Sequence, residues 1–238
     1  MKLDILAFGA HPDDIELGAA GTLIAHVHQG KSIGLIDLTY GELGSRGNKE
    51  IRLQEATRAK EIIGAVTRMN LGMADGFFQN DEKHQKELIR IIRHFKPDIV
   101  ICNAPSDRHP DHGRASQLVS DACFYAGLTK ISTQWVGKHQ EAWRPKAIYY
   151  YIQYYDLKPD ILVDVSSYMD LKMESIKAHQ SQFYNPLSKE PETLISKPEF
   201  LENVINRAAY YGQYIGVRYA EGFITQRIPG VKNLFDLL

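Results

Sequence analysis

Two short apolar runs, Leu3 to Gly9 and Asp98 to Asn103, each lead into a cluster built on His-Pro-Asp. The first is followed at once by Ala10-His11-Pro12-Asp13-Asp14, the second after a short link by Asp107-Arg108-His109-Pro110-Asp111-His112. Runs of this length and composition read as strands covered on both faces, the kind that parallel sheets contain. Ligands of open parallel sheets bind outside the carboxyl ends of the strands. Both clusters are therefore expected on one rim. Taken singly, each could be loop punctuation, with Pro presetting φ and Asp capping the next helix. Their pairing at strand ends argues for a site.

The intervening chain alternates in the same way. Ile15 to Gln29 has helical spacing and stops at Gly30, and Ser32 to Leu38 reads as a strand. A Gly-rich loop follows, then a helix over Glu50 to Ile63 closed by Gly64, a short strand over Arg68 to Leu71, and a helix over Asp81 to Phe95 stopped by Pro97. His112 to Ala126 is the helix after the second cluster, so its N-terminal dipole lies at the site. This succession predicts an α/β fold, a Rossmann-like, mostly parallel sheet with helices on both faces. The last hundred residues are less regular. Tyr149 to Tyr151 belong to a strand, Ile161 to Val165 to another, Tyr168 to Phe183 to a helix, and Pro186 to Pro198 to a polar loop near a pocket mouth or a subunit contact. A single domain over residues 1 to 238 accounts for the whole, without repeats or low-complexity tracts.

The residue types in the two clusters suit a catalytic zinc, which takes three ligands from His, Asp and Glu and leaves a fourth position open. His11, Asp14 and His112 would supply that set, one Zn2+ per subunit. Asp13 is then placed to activate a water made more acidic by the metal, and His109 to donate to charge developing on a substrate, with Asp111 orienting its imidazole.

These residues resemble the LmbE-like, or PIG-L, zinc-dependent deacetylases, which remove acetyl groups from N-acetylglucosamine conjugates. The family signatures A-H-P-D-D and H-P-D-H stand as Ala10 to Asp14 and His109 to His112, and the likeness extends from residue 3 to about 224, through Tyr219-Ala220-Glu221-Gly222-Phe223. It implies the same zinc ligands, Asp13 as general base, His109 as a protonated partner of the oxyanion, and Arg52 as a substrate contact. Arg108 would also face the pocket. Within the family, the Asp-Arg-His-Pro-Asp-His wording and the Tyr-Ala-Glu-Gly-Phe ending resemble the bacillithiol branch, whose substrate is N-acetylglucosaminyl L-malate. Alternatives are another N-acetylglucosamine compound, such as a chitooligosaccharide or an antibiotic precursor, or a zinc-dependent sugar-binding protein without turnover. Retention of Asp13 and His109 speaks against the last. The family implies a homo-oligomer, hexamers among its members. Some relatives carry a mobile tyrosine near the pocket in the stretch corresponding to 195–201, where this chain has Phe200.

Several classes of function are excluded on composition. A net charge of −1 leaves no electrostatic footprint for nucleic acid or anionic membrane. No apolar run approaches a membrane span, and Leu3 to Phe8, interrupted by Asp4, is too short for a signal peptide. Cys102 and Cys123 suit reduced thiols in a cytoplasmic protein. The partner expected is therefore a small molecule. Gly41, Gly44 and Gly47 do not form a phosphate loop, and Ser45-Arg46-Gly47-Asn48 instead reads as a contact for substrate hydroxyls or a carboxylate. His26 and His28 cannot share a helix face, and His84, His94, His139 and His179 read as surface or capping residues.

Overall fold

The computed structural model of the protein describes residues 1–237. Its strands are β1 (Ile5–Gly9), β2 (Ile33–Thr39), β3 (Thr67–Met73), β4 (Ile99–Asn103), β5 (Gln134–Trp135), β6 (Lys138–His139), β7 (Ala147–Tyr151), β8 (Ile161–Asp164) and β9 (Ala220–Thr225). The helices are α1 (Asp14–His28), α2 (Lys49–Ile63), α3 (Glu82–Phe95), α4 (Pro110–Ala126), α5 (Met169–Lys177) and α6 (Pro198–Ile215). Seven strands form one sheet in the order β3-β2-β1-β4-β7-β9-β8, parallel from β3 to β7 and antiparallel at β9. This is the Rossmann-like α/β architecture expected.

Burial explains why these runs are strands. Every residue of β1 and β2 is buried. Successive side chains alternate between two cores, with Leu6, Phe8, Ile36 and Leu38 facing α3 and α4, and Ile5, Ala7, Ile33 and Leu35 facing α1. Local signals set the helix ends. Asn48 Oδ1 accepts the Ile51 N–H at 2.9 Å and Asp81 Oδ1 that of His84 at 3.0 Å, while Gly64 closes α2 at φ 78°.

The C-terminal third departs from expectation. The helix expected over Tyr168 to Phe183 ends at Lys177. Beyond it Glu55 takes the Ser181 N–H and hydroxyl at 2.6 and 2.7 Å, and Gln182 donates to the Arg46 carbonyl, so tertiary partners replace helical ones. His179 is wholly buried, not at the surface, 3.5 Å from Glu16. Residues 198–215, given no element from the sequence, form α6, which packs on β8 and β9.

Glu221 of β9 ties the sheet to α1. Its carboxylate accepts the Gly21 and Thr22 N–H groups at 2.9 and 2.7 Å and the Lys172 ammonium at 2.6 Å, and that ammonium also donates to the Leu17 carbonyl. The glycines make the approach possible, since a Cβ at Gly18 would overlap the Tyr151 ring and one at Gly21 would crowd Val165.

Candidate active site

The strand order reverses direction of winding between β1 and β4, which opens a crevice at their carboxyl ends. Both sequence clusters stand there. The first turn is pinned to its neighbours: Ala10 N–H donates to Asn103 Oδ1 at 3.0 Å, and the Ala10 carbonyl accepts the N–H and hydroxyl of Thr39. Asp13 within it has φ 125°, a conformation that costs an L-residue on the order of 1–3 kcal/mol and persists only where surroundings enforce it. Arg52 supplies part of that enforcement, donating to the Pro12 and Gly41 carbonyls at 2.9 and 2.8 Å.

Asp14 is the centre of the cluster. One oxygen lies 3.5 Å from His11 Nδ1 and the other 3.1 Å from His112 Nε2. The remaining ring nitrogens are held by carboxylates, His11 Nε2 by Asp75 at 3.0 Å and His112 Nδ1 by Asp107 at 2.8 Å. Gln153 and Asn103 donate to Asp14 at 2.7 and 3.1 Å. Carboxylates behind imidazoles are the usual outer support of a metal-binding histidine, because they fix which nitrogen faces the ion. Charge tells the same story. Burial would raise the Asp14 carboxyl, yet His112 and His11 outweigh it and hold it well below the usual range. Burial would lower His112, yet Asp14 and Asp107 push it up to about 9. A buried donor set that draws in so much positive charge fits a divalent cation. His109 also offers a ring nitrogen within 4.8 Å of those of His11 and His112.

Asp13 is 5% exposed and 3.5 Å from Arg52, and burial pushes its carboxyl up to about 6. His109 is the N-cap of α4, where its Nδ1 accepts the Asp111 N–H at 3.2 Å. Two expectations change here. The Asp111 carboxylate does not orient His109; it accepts the Gly76 N–H at 2.8 Å and Arg114 at 2.6 Å and lies 3.4 Å from His11. Nor is His109 favoured in its protonated form, since burial and the neighbouring His11 and His112 lower it from its ordinary value. The neutral ring still donates. With Nδ1 occupied as acceptor, the proton resides on Nε2.

His11, Asp13, Asp14, Arg52, Arg108, His109 and His112 all line one cleft of about 410 Å³, which Thr193, Leu194 and Ile195 of the 186–197 loop also line. Arg108 is exposed there, its guanidinium 5.3 Å from the Tyr154 ring centre. Arg46 is not free to contact a ligand, because its guanidinium is consumed by the chain itself. Phe200 packs against Phe183, ring centres 6.0 Å apart.

Residues 6–123 match the family model described as PIG-L, GlcNAc-PI de-N-acetylase. The chain is also 30% identical to the diacetylchitobiose deacetylase of Thermococcus kodakarensis, over 95% of its own length and 84% of the relative's. The chain belongs to the PIG-L, or LmbE-like, deacetylase family. It is 26% identical to a Bacillus anthracis protein named "Probable N-acetyl-alpha-D-glucosaminyl L-malate deacetylase 2", over 75% and 81% of the two lengths. A solved structure of a conserved protein from Thermus thermophilus superposes with a TM-score of 0.87 at 33% identity, covering 98% of each chain.

As a member of this family the protein is a hydrolase acting on an amide carbon–nitrogen bond, and its family is metal-dependent. The geometry adds supports that the two signatures do not contain. Asp107 stands five residues before His112 and could have been suspected from that spacing. Asp75, Asn103 and Gln153 carry no local signal and reach the site only through the sheet order.

Proposed function

We propose that the protein removes the acetyl group from the glucosamine nitrogen of a small N-acetylglucosaminyl conjugate, with His11, Asp14 and His112 holding one zinc ion. The observation that carries this reading is Asp13, a strained, buried carboxylate beside a carboxylate–imidazole donor set it does not join. Such a group is superfluous for holding a metal and apt for moving a proton. Zinc, when bound, polarises the acetyl carbonyl and makes an attacking water more acidic. Asp13 accepts the proton of that water, and Arg52 at 3.5 Å keeps its carboxylate in place. His109 donates from Nε2 to the oxygen that becomes negative as the carbonyl carbon turns tetrahedral. Asp13 then returns the proton to the departing nitrogen, releasing acetate and a free amine.

N-acetylglucosaminyl L-malate is the substrate proposed, and Arg108 the residue that would meet its carboxylates, since a guanidinium without a protein acceptor among the described residues is free to bind one. Diacetylchitobiose is the second reading, favoured by the 30% identical relative. The two buried, unpaired thiols of Cys102 and Cys123 support a reducing cytoplasmic setting. Acetate release from N-acetylglucosaminyl malate, diacetylchitobiose and free N-acetylglucosamine by metal-quantified protein tests the proposal. Preference for the malate conjugate sustains it, preference for the disaccharide replaces the substrate, and no release by fully loaded protein removes the catalytic reading.

A further inference from the structure

Arg46 is buried, 5% exposed, yet faces no carboxylate among the described residues. Its charge is instead spread over one stretch of irregular chain: Nε donates to the Ser181 carbonyl at 2.8 Å, Nη1 to the Pro191 carbonyl at 3.1 Å, and Nη2 to the Ser188 hydroxyl at 3.2 Å and the Phe183 carbonyl at 3.5 Å. The bonding is reciprocal. The Arg46 carbonyl accepts from Gln182 at 2.9 Å, and the Gly47 N–H donates to Glu190 at 2.7 Å. Residues 184–197 contain neither helix nor strand, so this stretch lacks a backbone ladder of its own. Its continuation, Thr193 to Ile195, lines the same cleft as His11, His109 and His112.

From this geometry we infer that Arg46 is a positioning residue that clasps the 181–191 segment and thereby sets the distance of the Thr193–Ile195 wall from the site, which decides how large a group beyond the glucosamine ring the cleft admits. A single planar guanidinium meeting four acceptors from one segment is a rigid connector, and lysine, a point charge with three donors, cannot reproduce it. Thr193, Leu194 and Ile195 share no hydrogen bond with Asp13 or His109 among the described residues, so loosening them is expected to spare the proton transfers and to remove binding of the distal group. Binding that is equal in ground and transition state appears in KM and not in kcat.

The inference rests on the deacetylase reading for its kinetic arm but not for its structural arm. Arg46→Ala, Arg46→Lys and Glu190→Ala are compared with wild type by hydrogen exchange over residues 184–196 and by kinetics on N-acetylglucosamine and on its malate and disaccharide conjugates. Glu190 is exposed and its removal leaves no buried charge, so that variant reports on the clasp even if Arg46→Ala fails to fold. Exchange in the segment should rise on the order of tenfold or more, with the steepest rise for Arg46→Ala. KM for the best conjugate should rise about tenfold, with kcat within about twofold and N-acetylglucosamine unaffected. Unchanged exchange in the folded variants, or a fall in kcat at constant KM, would overturn the inference. So would a loosened segment with unchanged KM. Should wild type release acetate from none of the three, the functional proposal fails while exchange still decides whether Arg46 is the clasp.

Discussion

Asp107 grips His112 by one ring nitrogen, Oδ2 to Nδ1 at 2.8 Å, and so turns the other toward Asp14. The carboxylate sits at the front of the same short cluster that supplies the imidazole. Burial would raise the Asp107 carboxyl, but its contacts with His112 and with the Arg108 and Tyr155 N–H groups hold it below its ordinary value. Asp107→Asn should weaken metal affinity about 10- to 100-fold, the usual cost of losing such a support, while His112→Ala should abolish occupancy. Titration with zinc against a competing chelator measures both, and equal affinity of Asp107→Asn and wild type would contradict the assignment.

Asp13 and the metal donors should separate cleanly. Asp13→Ala is expected to retain a full complement of metal and lose about 10²- to 10⁴-fold in kcat, the range of a general base. Metal analysis beside turnover checks this, and metal loss in Asp13→Ala would make it a ligand instead.

The pH profile follows from the same carboxylate. A general base works deprotonated, so the rate should rise with pH through its titration. Burial places that titration up to about 6, and a cation beside it favours the anion and moves it lower. The acidic limb of kcat should therefore lie at or below about pH 6. An acidic limb well above that value would exclude Asp13 as the group reported.

Strain at Asp13 has a stability signature. Glycine tolerates the φ of 125° and alanine does not, so Asp13→Gly should be about 1 kcal/mol more stable than Asp13→Ala, with both inactive. Urea denaturation of the two variants decides it, and equal stability would mean that the turn relaxes.

Glu221→Ala should be among the most destabilising single changes. It strands the Lys172 ammonium, 2% exposed, and removes the acceptor of two α1 N–H groups. Breaking one side of a buried pair costs about 3–5 kcal/mol. The double change Lys172→Met with Glu221→Gln should recover part of that loss, and thermal unfolding of single and double variants tests the coupling.

Much of this protein was legible along the chain, because the relevant physics there is local. Continuous apolar runs such as Ile5–Gly9 bury both faces, Gly64 closes a helix through its own φ, and His11, Asp13, Asp14, His109 and His112 lie within two clusters of a few residues, whereas Asn48, read as a substrate contact, proves to be the N-cap of α2. What resisted such reading depends on distant partners. The end of α5 at Lys177 is set by Glu55 and Arg46, and the burial of His179 by its packing near Glu16, neither of which is visible in the periodicity of 168–183.

The sequence by itself determined the alternation of strand and helix and the chemistry available at two strand ends, since burial patterns, caps and residue types act over a turn or two of chain. Only the tertiary structure decided that Asp75 supports His11, that the Asp111 carboxylate leaves His109 to its own N–H, and that Arg46 serves the cleft wall instead of a ligand. Those outcomes depend on which atoms meet across 64, 2 and 135 residues of separation. For Asp75 that is set by the order of strands in the sheet, for Arg46 by the packing of α5 against α2, and for Asp111 by the turn that starts α4.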